Sequence, residues 1–585
     1  MSDDYLLSLL WFLPLVGCLV VLLLPRRSDL VVKYTALGFT AATFLLTLVA
    51  FGRYVEPNST GTAPLRVSLR DRAAANPTPL DTNSQPRGAK DAPPAPDDDL
   101  VVRDEWIPAF HIQYFLGLDG ISLSLVVLTG LVSLLACLAS WNIEKQVRGY
   151  FSLFLLLLAS MMGVFMALDL FLFYVFFEVM LLPMYFLIGI WGGENREYAA
   201  IKFLLYTLFG SVFILVAILI LYFWPGTSGA VILADNTAFR AHTFDALRLT
   251  QAASETNYYG NVVQQWVFLL FFTGFCVKLP SFPFHTWLPD AHVQAPTPIS
   301  MILAGVLLKI GGYGLIRLAW PLAPLGAMEW AYPVAILGVV SILYGALAAM
   351  AQTDFKKLVA YSSVSHMGYV TLGMAAMNLI DPRAYEFGVA GAMFMMIAHG
   401  ITSTGMFFLV GVIYDRAHTR DLKKLGGLWN VMPVYGAVSF LIFFGSMGLP
   451  GLCGFVAEVF VVLAAFGYQY EQNVFPVLAI CAAAAVILTA GYILWTLQRV
   501  FLGRSEQYRG LPDMTPRENL IAAPLVLLTV LLGVLPTPML LGWMGPSVHD
   551  MVTDVNAAGK FRTGPLSNAD APATPPPAFK VAGRR

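Results

Sequence analysis

The chain has 585 residues, 58% hydrophobic and 12% charged, with mean hydropathy +0.70; a soluble domain of that make-up would leave most of its apolar surface in water. A net charge of -1 excludes the basic footprint of a nucleic-acid binder. The five cysteines, Cys18, Cys137, Cys276, Cys453 and Cys481, stand far apart in apolar stretches, and no C-x-x-C, H-E-x-x-H or G-x-x-x-x-G-K-[ST] spacing occurs, so no disulfide framework, zinc site or phosphate loop is expected.

Met1 to Leu24 is apolar, opens with Asp3 and Asp4 and closes on Pro25-Arg26-Arg27. That is the reverse of a cleavable signal's charge order, so the stretch reads as a first span. Apolar runs of about 18 to 25 residues, enough to cross a hydrocarbon core near 30 Å, recur about fourteen times. They centre near Leu15, Thr40, Leu131, Leu158, Met180, Val212, Thr273, Leu308, Val340, Tyr369, Ser403, Phe444, Val486 and Leu527. The expected fold is an all-α polytopic membrane protein, because helices satisfy their own backbone in lipid.

Residues 1–52 would hold spans 1 and 2, and 113–147 the third. Residues 148–320 would hold spans 4 to 8, 321–505 spans 9 to 13, and 506–545 the fourteenth. The Pro- and Asp-rich insertion 53–112 and the tail 546–585 cannot bury enough apolar surface to offset their ordering entropy, and are expected outside and poorly ordered. Gly226 to Val262 is a further external segment. Lys and Arg concentrate in the loops of one face, among them Arg26, Arg27, Lys145, Arg148, Lys356, Lys357, Lys423 and Lys424, against only Arg317 and Arg383 in short loops of the other. Since such loops stay cytoplasmic, both termini are expected outside. Trp141, Trp191, Trp224, Trp320, Trp330 and Trp429 fall at span ends, where indole prefers the membrane interface.

Two spans carry helix-breaking sequences, Lys278-Leu279-Pro280 to Pro283-Phe284-His285 and Gly448-Leu449-Pro450-Gly451. Pro removes a donor and Gly loosens the helix, so spans 7 and 12 are expected to be discontinuous. Five spans separate them, which suggests two five-helix units of inverted topology.

Ionisable residues inside spans cost about 2.5 to 3.5 kcal/mol each on the lenient insertion scale and mark ion paths. This chain places Glu178 in span 5, Lys202 near the start of span 6, Lys278 before the first break, Lys309 in mid-span 8 and Glu458 after the second break. A Glu178–Lys278 pair that opens and closes would switch Lys278 between a held cation and a proton donor. His285, His366 and His399 titrate near neutrality and could relay protons between Lys278, Lys309 and Glu458. Each imidazole also has a plain reading as a packing or hydrogen-bonding group, and Lys202 is near enough to its span end to snorkel. Asp354 with Lys356 and Lys357, and the run from Asp415 to Lys424, read as solvated loops.

Trp191-Gly192-Gly193, Ala199 to Thr207, Lys278-Leu279-Pro280 through Phe284-His285-Thr286-Trp287-Leu288-Pro289-Asp290-Ala291-His292, and Ala295-Pro296-Thr297-Pro298 to Lys309 resemble the antiporter-like subunits of respiratory NADH:quinone oxidoreductase (complex I) and the Mrp-type sodium/proton antiporters. Within that family a twelfth-span Glu, here Glu458, marks the M-type (chain 4) branch, where the L and N types carry Lys. The resemblance implies a proton-translocating membrane subunit of a bacterial inner membrane. Glu178 and Lys278 would be its control pair, Lys309 with His366 and His399 its central relay, and Glu458 its exit group. It further implies no cofactor in this chain: NADH, FMN, iron-sulfur clusters and quinone belong to partner subunits. Its partners would be the other membrane subunits of complex I, neighbouring antiporter-like subunits included, and the lipid bilayer. A subunit of a cation/proton antiporter or of a membrane-bound hydrogenase is the alternative. The 53–112 insertion departs from the family pattern.

Overall fold

The computed structural model describes residues 3–25, 28–55, 100–224, 233, 242–378, 381–467, 475–503 and 507–562. Among them, 12 helices are long and apolar enough to cross a membrane. Phe355–Ala375 and the broken pair Pro433–Met447 and Cys453–Gly467 supply the remaining spans, so every expected centre falls on or within a span element. Local chemistry sets the ends. Asp119, Asp169 and Asp354 each accept a backbone N–H in the first turn of the helix that follows, satisfying donors that a helix start leaves orphaned. Proline opens Pro324–Met350, Pro382–Ala417 and Pro516–Val534, where its missing N–H costs nothing.

Both expected breaks are present. The seventh span runs as Gly260–Lys278, leaves helical geometry through Pro280 and Pro283, and resumes as Trp287–Gln294. Groups freed there find partners on neighbours: Phe282 N donates to Ser341 Oγ at 2.9 Å and Trp287 Nε1 to Val277 O at 2.9 Å. The twelfth span stops at Met447, turns through Gly448 at φ +80 and restarts at Cys453. The eighth span, Thr297–Leu322, is buried apart from the half-buried Thr297 and Arg317 and contains two π-helical turns, Leu303–Leu307 and Leu315–Ala319, on either side of Lys309.

Three expectations are corrected outside the bundle. The end of the presumed insertion is ordered: β1 (Val101–Ile107) and β2 (Ile112–Gly117) form an antiparallel hairpin pairing Val101 with Gly117. Arg103 bonds Asp245 at 2.7 Å with both side chains 3% exposed, which ties the hairpin to the helix Ala246–Thr256. Residues 56–99 lie outside the described residues. The presumed tail begins with a helix, Gly542–Ala557, docked on the start of the third span through Gly120 N to Ser547 Oγ at 2.9 Å; its Val548, Met551 and Val552 supply the apolar burial that the polar composition concealed. Residues 563–585 lie outside the described residues. Trp320 is packed against Phe268 and Phe272 in the protein interior and not at an interface.

The loop charges are also less solvated than expected. Arg416 donates two hydrogen bonds to the Glu518 carboxylate, 3.0 and 2.7 Å, and others to the carbonyls of Pro512, Val412 and Asp513. It pins the end of the eleventh span to the start of the fourteenth, where Glu518 completes a capping box with Thr515. Lys356 is buried as well.

Candidate functional site

The ionisable side chains picked out from sequence lie on elements that meet inside the bundle. Lys278, at the last turn before the first break, is 1% exposed, and among the described residues its Nζ has no hydrogen-bond partner. Its ammonium sits over the rings of Phe177 at 5.3 Å and Phe203 at 5.4 Å. Glu178 is half-buried one residue from Phe177, with Oε1 lacking any partner. Its charge reaches Lys278 without contact. Glu178 and Lys278, the expected control pair, therefore stand apart, and ring faces hold the cation with about 0.5 to 2 kcal/mol apiece.

Lys202 does not join this pair. Its Nζ bonds Asp290 Oδ2 at 2.7 Å, on the second half of the seventh span. His285 lies in the break itself, beside Phe282 and Tyr344, with neither ring nitrogen hydrogen-bonded.

Lys309 is wholly buried. At the preceding π turn Leu308 N bonds Leu303 O; such widened turns recur at functional sites. Lys309 Nζ donates to Ala304 O at 2.5 Å and meets His399 Nδ1 at 2.7 Å. An ammonium has no lone pair, so the charged lysine donates and His399 accepts. The His399 and His366 rings are 5.5 Å apart between centroids. His366 Nδ1 faces Ser362 O at 2.7 Å and Nε2 faces Ser446 O at 2.8 Å. Carbonyls only accept, so both bonds form together when the ring carries two protons. Ser446 is one residue from the end of Pro433–Met447, and its carbonyl is one that a helix end leaves without an intrahelical donor.

Beyond that carbonyl lies Glu458, 4% exposed. Its carboxylate is seated on Gly448, where a Cβ would stand 2.1 Å from Oε2. The phenols of Tyr369 and Tyr492 are close by. At the other end, Gly311 lets the eighth span rest directly on the backbone of the first break: a Cβ there would meet Leu279 N at 2.5 Å and Phe275 O at 2.7 Å. Thus the two elements touch two residues from Lys309 and one residue from Lys278.

Sequence reading missed two pairings, and gave His292 only the plain reading of a group that satisfies carbonyls freed by the nearby prolines. Asp290 stands in the quoted motif, yet nothing in its spacing names Lys202 as its partner. Arg317, assigned to a loop, lies in a π turn of the eighth span and pairs with Asp119, with Tyr313 and Ser122 adjacent. His292, close to Lys309, has neither ring nitrogen hydrogen-bonded. Among the described residues no group of three His, Cys, Asp or Glu could hold a metal ion.

A family model described as NADH:quinone oxidoreductase/Mrp antiporter, transmembrane, matches residues 167–489, and one described as NADH-ubiquinone oxidoreductase chain 4, amino terminus, matches 102–168. The chain is 42% identical over 558 residues to NADH-quinone oxidoreductase subunit M of Rhodobacter capsulatus, covering 94% of this chain and 97% of that one. It is 35% identical over 541 residues to subunit M of Rickettsia prowazekii, covering 92% and 96%. Among solved structures it is similar to a chain of respiratory complex I from Thermus thermophilus with bound NADH, at TM-score 0.74 and 28% identity, over 94% of this chain and 99% of that one. A chain of the Mrp complex from Dietzia shares the fold at TM-score 0.71 and 22% identity, over 93% and 52%.

Proposed function

The chain belongs to the NADH-quinone oxidoreductase subunit M (chain 4) family, and from that premise we propose that it carries protons across a bacterial inner membrane along Glu178, Lys278, Lys309, His399, His366 and Glu458. The observation that supports this most is the continuous contact Lys309–His399–His366–Ser446 O, running from mid-span 8 to the second break. Each group in it can hold and release a proton, or accept a hydrogen bond from one that does.

In this reading Lys278 is the gated donor. With Glu178 away, only ring faces stabilise its charge, and its proton moves toward Lys309 across the Gly311 contact. With Glu178 closed on it, the proton is held. Glu458 discharges to the outer face. Lys202 paired with Asp290, and His285 in the break, shape the field around the gate. The repeat is two five-helix units of inverted topology, each with its broken helix. The Lys- and Arg-rich loops are cytoplasmic, which places both ends of the chain outside. NADH, FMN, iron-sulfur clusters and quinone are handled by partner subunits, among which neighbouring antiporter-like membrane subunits contact this chain.

Replacement in the assembled complex tests it. Glu178→Ala and Lys278→Ala are expected to abolish NADH-driven proton translocation in membrane vesicles and to slow coupled quinone reduction, with the complex still assembled. Unaltered translocation in both variants would refute the gate.

A further inference from the structure

Arg317 and Asp119 form an ion pair that the path above does not use. Asp119 is buried at the start of the third span, and Arg317 is half-buried near the end of the eighth, so the pair lies toward the face opposite the Lys- and Arg-rich loops. Arg317 Nη2 donates to Asp119 Oδ2 and to Ser122 Oγ at 3.4 Å, and Ser122 N donates to Asp119 Oδ1 at 2.8 Å. The guanidinium carbon stands 5.9 Å from the centre of the Tyr313 ring. The Tyr313 hydroxyl lies 3.3 Å from Ser122 Oγ and donates to Phe165 O at 3.1 Å. Over the Asp119 turn lies the helix Gly542–Ala557, so close that a Cβ on Gly120 would stand 2.7 Å from Met544 Cα.

Lys309, Tyr313 and Arg317 follow one another at steps of four along the eighth span, and neighbours at that spacing share a helix face. The hydroxyls of Tyr313 and Ser122 can each give and accept a proton in a hydrogen bond, so this face offers Lys309 a short way out toward Asp119. A proton that took it would bypass His399, His366 and Glu458. Stability alone gives little reason for the pair, because a buried ion pair recovers little more than its desolvation cost and apolar residues of similar volume often serve as well. A guanidinium, by contrast, neither releases its proton nor accepts another. A fixed arginine charge also excludes protons from a polar passage.

We infer that Arg317, held by Asp119, is a proton barrier at this end of the eighth span, which keeps a proton on Lys309 from leaving along Tyr313 and Ser122. The inference rests on the proton-translocating reading above. Asp119 fixes the guanidinium across the passage, and the C-terminal helix covers the turn that carries Asp119. The proton on Lys309 is thereby left to His399, which its Nζ meets at 2.7 Å.

The test measures passive leak through the assembled complex with no NADH present. The complex is reconstituted into phosphatidylcholine vesicles that enclose a pH-sensitive dye, and the decay of an imposed pH gradient is followed. Arg317→Gln removes the charge, and Asp119→Asn with Arg317→Gln removes it without leaving a buried carboxylate unpaired. Both are expected to lose the gradient several-fold faster than the parent, whereas Arg317→Lys, still paired with Asp119, should hold it as the parent does. Adding Lys309→Met to either leaky variant should restore the parent's decay, because the leak starts at that lysine. A purely structural pair predicts lower thermal stability with parent-like decay in every variant. Parent-like decay in the assembled double variant would therefore overturn the inference. A leak that survives Lys309→Met, or an Arg317→Lys variant as leaky as Arg317→Gln, would overturn it too. If Arg317→Gln alone does not assemble, the double variant decides. Normal NADH-driven translocation in Lys278→Ala would refute the underlying reading, whereas a tight double variant beside a non-pumping Lys278→Ala would refute this inference alone.

Discussion

The two broken helices carry ionisable groups of opposite kind, a lysine and a glutamate, and hold them in opposite ways. At the first break, Lys278 has no hydrogen bond and rests between the faces of Phe177 and Phe203. At the second, Glu458 is seated on Gly448, and the freed carbonyl of Ser446 is already bonded to His366 of the central line. The second break is thus wired to the relay, while the first only abuts it through Gly311. On the proposed path a proton reaches the second break through bonds already made, whereas at the first break Lys278 must move to pass its proton on. The proposed gate lies at the break that has no such bond.

If that contrast holds, damage at the first break should be the most severe. Lys278→Met is expected to lower NADH-driven proton translocation about a hundredfold, as loss of a positioned proton donor would; vesicle acidification at equal amounts of assembled complex measures it. Gly448→Ala strikes the second break twice, since a side chain at φ +80 costs about 1 to 2 kcal/mol and its Cβ would displace Glu458. A loss of about tenfold is expected, since 1.4 kcal/mol is a factor of ten, and a parent-like rate would mean that Glu458 need not sit there. Phe203→Leu removes one ring from Lys278, and with about 0.5 to 1 kcal/mol of cation–π attraction lost the rate should change only a few-fold. A change as large as that of Lys278→Met would argue that the rings do more than cradle the charge.

Both breaks were legible because Pro and Gly inside an apolar run have few other meanings, and the buried lysines stood out for the same reason. The partners were not. Nothing in a single chain states that Lys202 meets Asp290 or that Arg416 meets Glu518, 102 positions on, because helix packing alone selects them. Lys356 and the run from Asp415 read as loop charges from their sequence neighbours, yet helix ends folding back on one another buried Lys356 and tied Arg416 to Glu518. The C-terminal helix Gly542–Ala557 was hidden by its mixed composition, which suits a helix with one face docked on the bundle.

The smallest effect is expected outside both breaks. Asp169, between spans 4 and 5, accepts N–H bonds from Gln113, Phe171 and Leu172, but burial outweighs them and pushes its carboxyl up to about 7. Because the folded state holds that proton more tightly than the unfolded chain does, its stabilisation is full below the ordinary carboxylate range and fades as pH rises through about 7. Amide exchange in β2 should therefore be modestly faster at pH 8 than at pH 5.5 after correction for intrinsic rates. A pH-independent corrected rate would mean that Asp169 stays ionised on folding.

Lys309 is where the line can be cut with least ambiguity, since among the described residues its Nζ bonds only Ala304 O and His399. The decisive measurement is proton translocation per NADH oxidised in vesicles bearing Lys309→Met, with assembly checked on native gels. Loss of translocation in a fully assembled complex is the predicted result. Parent-like translocation in that complex would contradict a proton path through the buried line.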